Sequence, residues 1–226
     1  MATLKELTDA VTKVLSNSAA KVSLQLNSPT RERAFEAYVF SLLIKAVTQA
    51  GGSVVIVGIN SGQSPNPIVL RGSPGHMSST SQDFAYAECA LNGKEFELHL
   101  GVQYIGTSNA LHEVDISMFD HERADQIRLD GILPNTRNLR AAIECKFYDS
   151  NLGVTLGRTF VGLVSDLGGL KIKSFVTNGR SSGLADYLSK SDRPDPYFAL
   201  SPLRPDVADR FVRSVEQDLR KWCSVY

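Results

Sequence analysis

Two short segments, HEVDISMF at 112–119 and LRAAIECKFY at 139–148, put acids and a lysine into stretches of alternating polarity. Successive side chains of an extended strand point to opposite faces. Leu139, Ala141, Ile143, Cys145 and Phe147 therefore form one apolar face, and Glu144 and Lys146 share the other. By the same rule Val114, Ile116 and Met118 oppose Glu113, Asp115 and Ser117. Consecutive strands are often neighbours, which brings Asp115 opposite Glu144. Two carboxylates held together repel, and a cation between them is the simplest compensation. Oxygen ligands select a hard ion such as Mg2+, whose remaining positions take water and phosphate oxygens. Lys146 would then stabilise charge developing on phosphorus or help to deprotonate the water. Glu36 lies on a helical line continued by Val39, Phe40, Leu43 and Val47. An acid on an apolar stripe needs compensation, either from that metal site or from Arg33 one turn away.

The elements that must hold these residues can be read along the chain. A first helix runs from about Leu4 to Leu15. A longer, mostly buried one follows, with Ser28 as N-cap, Pro29 in its first position and Gly51 as its stop. Strands are expected over Ser53 to Asn60 and Ile68 to Arg71. A hairpin comes next, because FAYAECAL and KEFELHLGVQYI flank Asn92-Gly93, which accepts positive φ at both turn positions. HEVDISMF and LRAAIECKFY are joined by DHERADQIRLDGILPNTRN, read as a loop. A helix with Leu156, Phe160, Leu163, Val164 and Leu167 on one stripe ends at Gly168-Gly169. KIKSFVTNG reads as a strand and SSGLADYLSK as a short helix. A Pro-rich connector leads to a last helix striped by Val207, Phe211, Val215, Leu219 and Trp222. This order describes a single α/β domain with a mixed β-sheet flanked by helices.

Composition agrees with one domain: 226 residues, 42% hydrophobic and 21% charged. Three cysteines, Cys89, Cys145 and Cys223, have no CxxC spacing, which argues against a disulfide framework or a zinc knuckle. With no apolar run of membrane-spanning length, and with a polar amphipathic start in place of a secretion signal, a cytoplasmic protein without a membrane partner is expected. Formal net charge is zero, which speaks against tight non-specific DNA binding but not against DNA as substrate, since an acidic metal cluster cancels basic patches in the total.

Asp115 in HEVDIS together with Glu144-Cys145-Lys146 resembles the PD-(D/E)xK, or restriction endonuclease-like, nuclease superfamily, and Glu36 matches the first-helix acid of many of its members. The order of elements from about Ser28 to Lys190 is similar too. The proline that often precedes the motif aspartate is replaced by Val114. The resemblance implies a restriction endonuclease-like fold and an Mg2+-dependent endodeoxyribonuclease in which Mn2+ can substitute. It makes Asp115, Glu144, Lys146 and Glu36 catalytic, with the metal held by Asp115, Glu144, the Cys145 backbone carbonyl and Glu36. Defence against foreign DNA is the role it implies. DNA repair or recombination, and a catalytically inactive nucleic-acid-binding or structural module on the same fold, are the alternatives. It also implies a homodimer, or a partner subunit supplying specificity, with Phe211 and Trp222 of the last helix as a candidate contact unless that stripe packs on its own domain.

Other residues carry weaker signals. Asp130 rivals Asp115 but precedes Gly131, the usual setting of a turn aspartate. His112 reads as a strand-edge or loop residue rather than a general base, and His76, His99 and His121 lack metal-ligand spacing. Neither GINSGQSPN nor VTNGRSSG is a nucleotide-binding loop. In VTNGRSSG the helix opening at Ser181, with Arg180, is a candidate contact for a DNA phosphate or else a plain connection.

Overall fold

The computed structural model describes residues 1–15, 30–149, 152–190 and 193–224. Helices α1 (Leu4–Leu15) and α2 (Arg31–Gln49) precede strands β1 (Ser53–Gly58), β2 (Ala85–Leu91), β3 (Lys94–Ile105) and β4 (Leu111–Asp120). Helix α3 (His121–Asp130), β5 (Leu139–Lys146), α4 (Val154–Leu167), β6 (Ile172–Thr177), α5 (Ser182–Leu188), β7 (Asp195–Tyr197) and α6 (Pro205–Cys223) complete the order. The seven strands form one mixed sheet in chain order, antiparallel from β1 to β5 and parallel from β5 to β7. Parallel pairs need a crossover, and α4 and α5 supply one each. The fold is thus a mixed sheet flanked by helices.

Helices α1, α2 and α6 cover one face, where Phe35, Phe40, Leu98, Ile116, Ile143, Val176 and Phe211 meet in the main core. Helix α2 is buried nearly all round because it lies between α1, α6 and the sheet. The stripe of α6 packs into this same core, with Trp222 edge-on to Phe96 at 5.4 Å, so its apolar residues serve their own domain. Two smaller clusters lie on the opposite face. One gathers residues of α3 with Val102, Tyr104 and Val114, and the other sets α4 and α5 against Phe175.

Thr30 caps α2 by accepting a hydrogen bond from the Arg33 amide at 3.3 Å, while Ser28 and Pro29 lie outside the described residues. Residues 121–130 are a helix, not a loop. Their mean hydropathy hides it, since only Ala124 and Ile127 are buried. Ile68 to Arg71 is not a strand; Val69 makes one isolated bridge to Phe84. The Pro-rich connector contains β7, whose three residues, with Pro196 on the sheet's outer edge, have too little length for a period. Asn92 and Gly93 do have positive φ, and Gly51, with φ of 92°, follows the end of α2.

The apolar alternation of β4 and β5 is broken at both ends. Met118 pairs with Ala141 but Phe119 pairs with Leu139, so Arg140 is an extra residue on β5 and Leu139 turns into the second cluster. Val114 also leaves the face of Ile116 and Met118 for that cluster. Its strand neighbours straddle Gly101, where φ is 57° and an added Cβ would stand 3.1 Å from the Ser73 carbonyl oxygen. Regular pleating cannot continue through that conformation.

Candidate metal-binding active site

Ile116 pairs with Ile143 in the antiparallel β4–β5 ladder, so one step along the register sets Asp115 against Glu144. The two acids are tied through β5. The Cys145 amide donates to Asp115 Oδ2 at 2.8 Å, and Lys146 Nζ lies 3.6 Å from that same oxygen while also pairing with Glu144 Oε1. Asp115 is 8% exposed. Cys145 thus takes part through its backbone, the amide holding Asp115 in place, while its side chain packs in the core.

Glu36 arrives from α2, whose entry is fixed where Phe35 packs on Phe147 at 5.5 Å. Both alternatives for its compensation meet here. Glu36 is buried, and Arg33 donates to its two oxygens at 3.0 and 2.8 Å. Even so, burial and the charge of Asp115 outweigh Arg33 and push the Glu36 carboxyl up to about 7. Burial and Asp115 likewise raise Glu144 and, less strongly, Glu113. Burial opposes the charge on Lys146, but Asp115 and Glu144 outweigh it and hold the ammonium above the ordinary lysine value. Glu36, Glu113, Asp115 and Glu144 therefore form an acidic centre that Arg33 and Lys146 do not neutralise.

A divalent cation suits this donor set. Mg2+ keeps several waters and binds directly to one or two carboxylates, so acids converging from three elements need not touch one another. A pH test follows from Glu36. A carboxyl raised from its ordinary value near 4.5 to about 7 contributes its full stability below about 4.5 and loses it as pH rises through 7. In a chelator, stability should fall over that window by up to about 3 kcal/mol. Glu36→Gln should flatten the slope and Mg2+ should restore the loss at pH 8, both read by denaturant titration. A Glu36→Gln profile as steep as that of the unmodified chain would remove Glu36 from the centre.

The remaining candidates lie elsewhere. Asp130 ends α3 before Gly131, whose φ is 65°, and accepts from Gln126 at 2.7 Å, as a helix-end aspartate. His112 Nε2 is 2.5 Å from Asp166, which also takes hydrogen bonds from Thr107 and Ser108 and so fastens α4 to the β3–β4 turn. Ser181 caps α5, accepting from the Leu184 amide at 3.3 Å and donating to the Leu152 carbonyl at 2.8 Å. Its hydroxyl is committed within the fold, which leaves Arg180 exposed beside it.

Sequence reasoning missed a second polar cluster. Glu88, Glu97 and His121 each bring one ligand atom within 4.8 Å of the others. Glu97 is fully buried, takes two hydrogen bonds from Arg128 at 2.7 and 2.6 Å, and lies 2.7 Å from both His99 Nε2 and His121 Nδ1. The signal is present in the alternation of Glu97 and His99 on β3, but its partners sit on α3, whose sequence has no helical stripe. Arg128 already supplies the positive charge that a metal would bring, so the cluster reads as an anchor for α3.

Among the described residues no helix is long and apolar enough to cross a membrane. No protein-family model, curated protein or solved structure matches this chain, so its chemistry rests on the geometry above.

Proposed function

We propose that this chain is a metal-dependent endodeoxyribonuclease of the PD-(D/E)xK, restriction endonuclease-like type, working through Asp115, Glu144, Lys146 and Glu36. The observation that carries this reading is the meeting of Asp115 with Glu144 and Lys146 from adjacent strands, beside a buried Glu36. Asp115 and Glu144 would hold Mg2+ or Mn2+, with the Cys145 backbone carbonyl and Glu36 as further oxygen donors. Bound there, the cation would supply Lewis acidity and a water of lowered pKa.

The chain's own residues do the rest. The Cys145 amide keeps Asp115 Oδ2 oriented, and the other oxygen, which takes no hydrogen bond among the described residues, could then face a ligand. Lys146 holds its proton beside both acids and is placed to stabilise negative charge gathering on the phosphoryl oxygens. Arg33 restrains Glu36 and keeps this buried acid from repelling Asp115 at full charge.

The full-length protein should cut double-stranded DNA with Mg2+ or Mn2+ and stay silent in EDTA. Ca2+ should bind without supporting efficient turnover, since its looser coordination positions water poorly. Lys146→Ala should retain metal binding and lose cleavage. Cutting that persists in chelator, or DNA binding with no cutting in either metal, would replace this reading with a metal-free or non-catalytic one.

A further inference from the structure

A groove of about 390 Å3 opens beyond the carboxyl end of β6, between the start of α5 and the start of α6. Arg180, Arg204 and Arg210 line it with Ser182, Phe198 and Asp206. Arg204 is engaged with Asp206 at 3.0 Å, so the only acid on the wall is taken. Arg180 and Arg210 are exposed and have no hydrogen-bond or salt-bridge partner among the described residues. Two uncompensated guanidinium groups thus face one cavity in a chain whose net charge is zero. Guanidinium groups present forked donors that match phosphate oxygens.

The groove is also fixed relative to the acidic centre. Lys146 pairs with Thr177 across β5 and β6, and Asn178 then bonds both backbone groups of Tyr148 at 2.8 and 3.0 Å. Arg180 follows three residues after Thr177 through a bend at Asn178 and Gly179, so its backbone lies at most about 10 Å from that of Thr177. Ala199, with φ of 56°, forms the floor, and its amide donates to the Gly179 carbonyl at 2.8 Å, so the two walls are joined.

We propose that this groove binds a backbone phosphate of DNA flanking the acidic centre, through Arg180 and Arg210. The inference rests on the nuclease reading for its substrate, but its test is one of binding alone. The full-length protein in Ca2+ is titrated with a labelled DNA duplex across about 50 to 200 mM salt, where each phosphate contact contributes about 0.9 to the salt slope. The Arg180→Ala/Arg210→Ala variant should bind about tenfold more weakly at the middle of that range, with a slope lower by about one. Arg213→Ala, on α6 outside the groove, is the control and should match the unmodified chain.

Unchanged slope and affinity in the double variant would overturn the proposal. So would an equal loss in Arg213→Ala, or no DNA binding by the unmodified protein. Binding that depends on Arg180 and Arg210 without any Mg2+ cleavage would leave the groove standing and remove the nuclease reading.

Discussion

Asp115→Asn and Glu144→Gln should each lower DNA cleavage by about a thousandfold or more without unfolding the protein. Each removes a ligand charge from the centre, where interactions with a cation and a developing phosphoryl charge act at low dielectric. Asparagine at 115 keeps an oxygen to accept the Cys145 amide, so the β4–β5 contact survives. It also removes the charge that helps to raise Glu36, Glu113 and Glu144. Folding stability in chelator should therefore stay level or rise as activity disappears, the trade expected where function concentrates like charges. Asp130→Asn, altered at the far end of α3, should cut at nearly the unmodified rate. An active Asp115→Asn together with an inactive Asp130→Asn would move the motif aspartate to α3 and end the present assignment.

The largest stability effect should come from Arg128→Ala. It strands Glu97, which has no exposed surface, with only two histidines as partners. Removing one member of a buried pair costs about 3–5 kcal/mol because the remaining charge is uncompensated. At about 2–4 °C per kcal/mol for a chain of this size, the thermal midpoint should drop by about 6–20 °C. Despite burial, Arg128 and His99 hold the Glu97 carboxyl down at about 2. The stability it contributes is complete above its ordinary value near 4.5 and is lost as pH falls toward 2. Adding Glu97→Gln to Arg128→Ala should recover part of the loss, since a neutral amide is cheaper to leave buried. A single variant that loses less than about 1 kcal/mol would mean that α3 is held by Ala124 and Ile127 alone.

What the sequence disclosed depended on how far a residue's surroundings are set by its near neighbours. Strand alternation placed Asp115, Glu144 and Lys146 on shared faces because period-two geometry is local, and the Asn92-Gly93 turn fixed the hairpin for the same reason. The helix at 121–130 was invisible because ten residues with two buried positions have no stripe to read. Its partners for His121 and Arg128 come from β3, more than twenty residues earlier. The turn of Val114 and Leu139 into another cluster follows from Gly101 and from the extra residue Arg140, whose effects appear only once strands are paired. Glu36 could be placed on a helical face beside Arg33 from spacing, but its burial needed the neighbouring strands.

Because the sheet is ordered as the chain is, every strand after β1 finds one partner already made when it leaves the ribosome. Pairings of this kind are short in sequence, and local contacts favour rapid folding. The acidic centre nevertheless waits for β5. Synthesis at about 5–20 residues per second separates the appearance of Asp115 from that of Lys146 by roughly two to six seconds. During that interval the nascent protein can build the β1–β4 meander while lacking both Glu144 and the lysine beside it. Any fragment ending before β5 lacks Glu144 and Lys146 and so cannot assemble the acidic centre.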